Sequence, residues 1–401
     1  MIIPTASPGH FRAAAKQALL ALAILTHSGV RIEASDALPA GFEVSTYLSG
    51  LDDPLAMAFD PDGRLFIAEK SGKVRIAMHG ELRDEPVLDF EPYTFFENGL
   101  LGMALDPEYL DTPYLYLFAT VAPDEQQIIR FRIVNGTGVE PLVIRDHIPT
   151  GGTIHNGGCL RFGMDGMLHF SVGDNGTSEN AQDPNTLAGK LCRIHPDGST
   201  PDDNSFTTPT GGASAVFARG FRNPFRFCFA PDGRLFTTDV GSFGSPRREE
   251  INLVRAGSNH GWPLREGGWQ DGDSDGFVAP IFDYAEEGSC AAGIVYYDSD
   301  HFPAEYRGNL FQLDYTLSKI FRVTLDGDRV ASHTLFMQAD GNTVDIIQGP
   351  DGRLYYCELA GGRVMRIGYA LNQTLEPGDD LTEEDWGGDE PDDAGNTNDN
   401  A

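Results

Sequence analysis

Asp60-Pro-Asp-Gly-Arg-Leu-Phe-Ile-Ala-Glu69 returns as Ala230-Pro-Asp-Gly-Arg-Leu-Phe-Thr-Thr-Asp239 and again as Gly349-Pro-Asp-Gly-Arg-Leu-Tyr-Tyr356. Each copy is a tight turn followed by an aromatic-rich strand. Looser versions occur at Asp106-Pro-Glu-Tyr with Tyr114-Leu-Tyr-Leu, at Gly163-Met-Asp-Gly-Met-Leu-His-Phe, and at Tyr306-Arg-Gly-Asn-Leu-Phe-Gln-Leu-Asp. Gly in the turn supplies a backbone conformation that other residues avoid, and the apolar alternation after it gives a strand a face to bury. Several units add a strand with a basic-apolar pattern: Lys73-Val-Arg-Ile, Ile129-Arg-Phe-Arg-Ile, Lys319-Ile-Phe-Arg-Val and Arg363-Val-Met-Arg-Ile. One such unit alone leaves a hydrophobic face uncovered, so the six units, roughly 40 to 75 residues each, predict an all-β, six-bladed β-propeller over residues 38–369. The strand at residues 42–47 is expected to complete the last blade beside residues 353–367, removing an open edge. Longer third to fifth units put extra loops at residues 174–215 and 243–290, on one face of the ring. Helix is scarce, a turn or two at residues 180–187 at most.

The chain has 401 residues, of which 40% are hydrophobic, enough to bury a large core. No run of about 18 apolar residues occurs, and no membrane span is expected. His10, Arg12 and Lys16 precede a short apolar run from Ala18 to Leu25, and small residues follow up to Ala37, so residues 1–37 read as a signal peptide of a secreted or periplasmic protein. The net charge of −31 repels nucleic acid and anionic membranes; it suits a small neutral or cationic ligand, or a bound cation such as calcium. Part of that charge lies in residues 370–401, which hold eleven Asp and Glu with no Lys or Arg and read as a disordered acidic tail. The five cysteines contain no C-x-x-C pair, which argues against zinc; one disulfide or two would leave at least one thiol free.

Three segments carry chemistry. Around the Met164-Asp165-Gly166 turn, Leu160/Phe162 and Leu168/Phe170 read as a hairpin that brings His155, before its first strand, to the same end as Asp174, after its second. A strand-end His and Asp make a base and its orienting partner, and Gly157-Gly158 beside His155 leaves room for a flat ligand. Arg222, stiffened by Pro224 at a strand mouth, can stabilise negative charge developing on an oxygen. Glu249-Glu250, next to the loop containing Gly241 and Ser242, suits calcium; the same two carboxylates could instead pair with Arg247 and Arg248.

These segments, with Glu97-Asn-Gly-Leu-Leu-Gly-Met-Ala-Leu-Asp-Pro107, residues 181–198, Gly220-Phe-Arg-Asn-Pro224, Glu249-Glu-Ile-Asn-Leu253 and Gly257-Ser-Asn-His-Gly-Trp-Pro263, resemble in order the glucose/sorbosone dehydrogenase family. The chain also resembles hedgehog-interacting-protein-like propellers. The first resemblance implies an exported oxidoreductase that oxidises an aldose or related sugar with pyrroloquinoline quinone (PQQ) and calcium and passes electrons to an unknown acceptor. It makes His155 the base, Asp174 its partner and Arg222 the stabiliser of the reduced quinone, with Glu97 and Asn223 near the cofactor. It also puts the Gly241 carbonyl at calcium and the Glu249-Glu250 pair at a further calcium position. In one branch a Lys and two Arg grip the cofactor's carboxylates; the matching places here read Thr316, Asn342 and Val344, and Lys319 is the nearest replacement cation. The alternative is a non-catalytic, calcium-stabilised propeller that binds a carbohydrate or a protein.

Overall fold

The Asp-Gly turns are built alike. Gly63, Gly233 and Gly352 have φ of 85°, 86° and 76°, and in each turn the Asp before Gly, or Asp60 in the first, accepts a backbone N–H of the following Arg at 2.9 to 3.1 Å. The left-handed Gly lets the chain reverse and send the next strand back antiparallel. The structure is a computed structural model that describes residues 38–370 apart from 209, 213, 244–246 and 269–274. The expected leader at residues 1–37 and the acidic tail beyond residue 370 lie outside the described residues.

Six antiparallel sheets follow one another along the chain. Blade one runs Pro54–Phe59, Leu65–Glu69, Lys73–Met78 and Glu81–Leu82, with Leu88–Asp89 also pairing with its third strand. Blade two is Leu100–Leu105, Tyr114–Ala122, Glu125–Val134 and Thr137–Pro149; blade three is Leu160–Phe162, Leu168–Val172, Lys190–Ile194 and Val216–Arg219. Blade four is Pro224–Phe229, Leu235–Asp239, Glu249–Val254 and Phe282–Tyr284, and blade five Ala291–Tyr297, Asn309–Asp314, Lys319–Asp326 and Arg329–Gln338. Blade six takes Thr343–Gln348, Leu354–Glu358 and Arg363–Tyr369 from the end of the chain and Phe42–Leu48 from the beginning. The closing strand pairs Phe42 with Tyr369 and Val44 with Ile367. Phe42 then meets the rings of Phe302, Tyr306 and Phe336 of blade five, and Tyr369, with centroids 4.8 to 5.0 Å away. Closure is thus reinforced by apolar and edge-to-face contact.

The first strands of the blades pack around the axis. There Arg226 of blade four, 1% exposed, donates to the carbonyls of Leu55 in blade one and Leu101 in blade two at 2.8 and 3.0 Å. Asp345 of blade six lies 3.5 Å from its Nε, accepts from Arg161 of blade three at 3.0 Å and takes the Met57 N–H at 3.0 Å. One ion cluster therefore spans the middle of the ring.

Strand alternation sorts the connections. The Asp-Gly turns, between first and second strands, lie at one end; turns between second and third strands and the links between blades lie at the other. His155, Asp174, Arg222, Gly241, Asn342 and Thr316 all fall in this second set. The helical turn expected at residues 180–187 is instead a 3-10 turn at Ser178–Ala181, because Pro184 disfavours helical backbone in the residue before it. All five cysteines are free, Cys290 partly buried and the other four fully so.

Candidate active site

His155 lies in the link entering blade three and Asp174 just beyond that blade's second strand. Their Nδ1 and Oδ1 atoms are 2.6 Å apart. Asp174 is further fixed by the Gly176 N–H at 2.8 Å on Oδ1 and the Trp262 indole N–H at 2.9 Å on Oδ2. With an acceptor facing Nδ1, the neutral imidazole carries its proton there and presents the Nε2 lone pair. Nε2 is buried and has no hydrogen-bond partner among the described residues, and the residue is only 6% exposed.

His155 also has φ 59°, a left-handed conformation that costs about 1–3 kcal/mol in a residue with a side chain. Its N–H donates to Glu97 Oε2 at 2.6 Å, which holds the backbone there. Gly173 allows the fit, since a Cβ would stand 2.1 Å from the His155 carbonyl oxygen. The neighbouring glycines have a different role from the one expected. A Cβ on Gly157 would meet the Ser171 carbonyl at 2.7 Å, and one on Gly158 would meet Leu101 at 2.5 Å, so both are small to pack against the protein rather than to admit a flat ligand.

Arg222 is buried beside this pair. Its backbone N–H and that of Asn223 donate to Asp239 at 3.0 and 2.7 Å, and its Nη1 donates to the Val240 carbonyl at 3.0 Å. The guanidinium lies 4.9 Å from the Phe243 ring and 5.8 Å from the Trp262 ring. Phe243, 79% exposed, has its centroid 6.4 Å from that of His155 at 26°. Burial pulls the Arg222 pKa down while Asp174 and Asp239 oppose it. Burial pushes Asp239 up to about 7. Asn223 accepts the Gly157 N–H at 3.1 Å and so supports the His155 link. Burial raises Glu97, against the opposing His155 and Lys70.

The acidic pair does not converge. Adjacent strand residues face opposite sides: Glu249 pairs with Arg247 at 2.5 Å and accepts the Ala291 N–H at 2.7 Å, whereas Glu250 accepts from Asn252 and Gly267 at 3.0 and 2.6 Å. Arg248 pairs with Asp283 at 3.0 Å instead of Glu250. Gly241 donates to Glu249 at 3.4 Å, and Ser242 donates through N and Oγ to Glu266 at 2.6 and 2.8 Å. Among the described residues no group of three or more His, Cys, Asp or Glu side chains is arranged to hold a metal ion.

Lys319 forms an ion pair with Glu286. Thr316 is exposed in the turn before it, Asn342 donates to the Tyr315 carbonyl at 2.9 Å, and Val344 is buried in the core. The residues that sequence reading passed over are Trp262, Phe243, Asp239 and Lys70, whereas the Arg247–Glu249 pair, one of its two readings, is present. Trp262 had a signal, its place in Gly257–Pro263, but not a destination. An Arg219–Asn259 bridge, with backbone hydrogen bonds from Arg219 to Ser258 and from Trp262 to Gly220, seats this segment on blade three and so carries Trp262 to the site end.

Comparison with known proteins agrees with this architecture. The sequence profile of the family "Glucose / Sorbosone dehydrogenase" matches residues 51–366. Aldose sugar dehydrogenase YliI of Escherichia coli (strain K12) is 27% identical over 362 residues, 82% of this chain and 94% of that protein. A glucose dehydrogenase structure from Thermus thermophilus is 31% identical, covers 82% of this chain and 100% of its own, and superposes with a TM-score of 0.74. The PQQ-bound aldose sugar dehydrogenase of Streptomyces coelicolor is 26% identical over 83% of this chain and 99% of its own, with a TM-score of 0.71. The profile spans most of the ring, and the chain belongs to the glucose/sorbosone dehydrogenase family, an oxidoreductase family on a six-bladed propeller.

Proposed function

We propose that the chain oxidises a CH–OH group of an aldose or related sugar, with His155 as general base and PQQ as the redox cofactor. The observation that carries the reading is the buried, unpartnered Nε2 of His155 held opposite Asp174. The likeness to a PQQ-bound aldose sugar dehydrogenase supports the choice of cofactor. The residues present fit such a group: Arg222 makes one side-chain hydrogen bond, leaving donors in its fork, and Phe243 and Trp262 form an aromatic wall beside it. The quinone, when bound, supplies a two-electron acceptor for hydride.

Each protein group then has a task. His155 Nε2 takes the hydroxyl proton as the C–H hydrogen departs with its electron pair. The resulting imidazolium is stabilised by Asp174, which also prevents the ring from turning. Arg222 offers N–H donors to negative charge on a nearby oxygen without reorganising, because Val240 and two rings already fix its position. A positioned base contributes about 10²–10⁴ in rate. Calcium enters the proposal through main-chain carbonyls of Gly241 and Ser242 beside Glu266, not through a Glu249–Glu250 chelate. Export is part of the same reading, with residues 1–37 as the leader.

The second reading, a non-catalytic propeller that binds carbohydrate or protein, draws support from Lys319 being occupied by Glu286 and from the neutral Thr316, Asn342 and Val344. Calorimetric titration of the folded protein with PQQ, with and without calcium, followed by dye reduction over a panel of aldoses, decides between them. Saturable binding and turnover that His155→Ala abolishes are the expected results. Absence of PQQ binding would sink the quinone mechanism and leave the binding propeller.

A further inference from the structure

We infer that Lys70 is the cation that holds an anionic group of the cofactor on the Glu97 side of the site, in place of the charge missing at Thr316, Asn342 and Val344. The inference rests on the quinone reading above. Three of the four lysines among the described residues are elsewhere or engaged. Lys73 lies on the third strand of blade one, 4.0 Å from Asp89; Lys190 donates to the carbonyls of Asn180 and Ala188, both at 2.7 Å; Lys319 pairs with Glu286.

Lys70 differs from all three. It sits in the turn between the second and third strands of blade one, at the same end of the ring as His155. It packs against the segment that carries Glu97: its Nζ donates to the Phe96 carbonyl, and its own carbonyl accepts the Leu100 N–H at 3.0 Å. Gly99 makes this approach feasible, since a Cβ there would stand 2.7 Å from the Lys70 carbonyl oxygen and 2.8 Å from its Cγ. The sequence therefore gives up a side chain at residue 99 to lay Lys70 beside Glu97.

The ammonium has no ion-pair partner among the described residues. Burial pulls its pKa down, against the opposing charges of Asp53 and Glu97. The Glu97 carboxylate is held by the backbone N–H groups of His155 and Asn156. An ammonium has three donors, so two remain for a ligand. Holding a partly desolvated cation without a contacting anion is costly, and a carboxylate of a flat polyacid would offset that cost while gaining a charge-assisted hydrogen bond.

The test uses the full chain, calorimetric titration and two probes: PQQ and its neutral trimethyl ester. Lys70→Met is expected to lose roughly tenfold or more in affinity for the acid, the range of a charged hydrogen bond, and to leave ester affinity within about twofold. Lys70→Arg should retain most acid affinity, and Lys319→Met should match the wild type. Thermal melting of each variant checks that the fold is kept. Unchanged acid affinity in Lys70→Met would overturn the assignment, as would equal losses for acid and ester, which mark a structural role. A wild-type protein that binds neither probe would instead remove the quinone reading, and this inference with it.

Discussion

Asp174→Asn exchanges one carboxylate oxygen for an NH₂ and forces a choice between two bad arrangements. Three donors converge on Asp174: His155 Nδ1–H, the Gly176 N–H and the Trp262 indole N–H. An asparagine whose oxygen keeps His155 and Gly176 points its NH₂ at the Trp262 N–H, leaving buried donors facing each other at a cost of about 1–3 kcal/mol. Turned over, the amide donates to His155 Nδ1 instead, which moves the ring's proton to Nε2 and removes the lone pair that accepts the sugar proton. The second arrangement satisfies Trp262 but turns the NH₂ onto the Gly176 N–H, so each leaves one clash; both lose the charge that stabilises the imidazolium, and the second loses the base as well. Loss of a correctly poised base is worth about 10²–10⁴ in rate, or about 3–5 kcal/mol at 1.36 kcal/mol per decade. The assay is steady-state dye reduction by the PQQ-loaded protein alongside cofactor titration. A fall in kcat of at least about 100-fold with cofactor affinity within about threefold is expected. Retention of kcat within about threefold would refute the claim that Asp174 sets the His155 tautomer.

Two further predictions concern stability. His260 is buried against Phe221, bonded to Asn252 at 3.0 Å, and burial lowers its pKa from 6.5 to about 3. A base depressed in the fold contributes stability above pH 6.5 that is lost as pH falls towards 3; at pH 4 the loss is about 3 kcal/mol. Urea midpoints at pH 7 and pH 4 should show this gap shrinking in His260→Gln, and an unchanged gap would exclude His260 as the source. Arg226→Leu leaves the Leu55 and Leu101 carbonyls and Asp345 without the guanidinium, and should cost about 3–5 kcal/mol by denaturant titration; a loss below about 1 kcal/mol would show that solvent or Arg161 takes over.

The blades were legible because each needs a local device, a Gly in a left-handed turn and an alternating strand, written within ten residues of sequence. The His155–Asp174 contact was legible for a similar reason, since a single hairpin brings the two together. Trp262 reaches Asp174 across 88 residues, and nothing local announces it. The same limit accounts for Lys319, whose fate is set by Glu286 some 33 residues away, and for Lys70, whose neighbour Glu97 arrives from the next link. For Glu249-Glu250 the sequence leaves two readings open, and the strand, which turns neighbouring side chains to opposite faces, selects the Arg247 pairing for Glu249.

The bridge of Arg226 and Asp345 closes the middle of the ring among the described residues. With its centre stopped by guanidinium and carboxylate, sugar cannot enter at one end and leave as product at the other. On the proposed chemistry, substrate, oxidised product and electron acceptor must use the same opening in turn. Such traffic favours alternation, with the sugar's product departing before the acceptor arrives, and makes each visitor an inhibitor of the next when it is in excess.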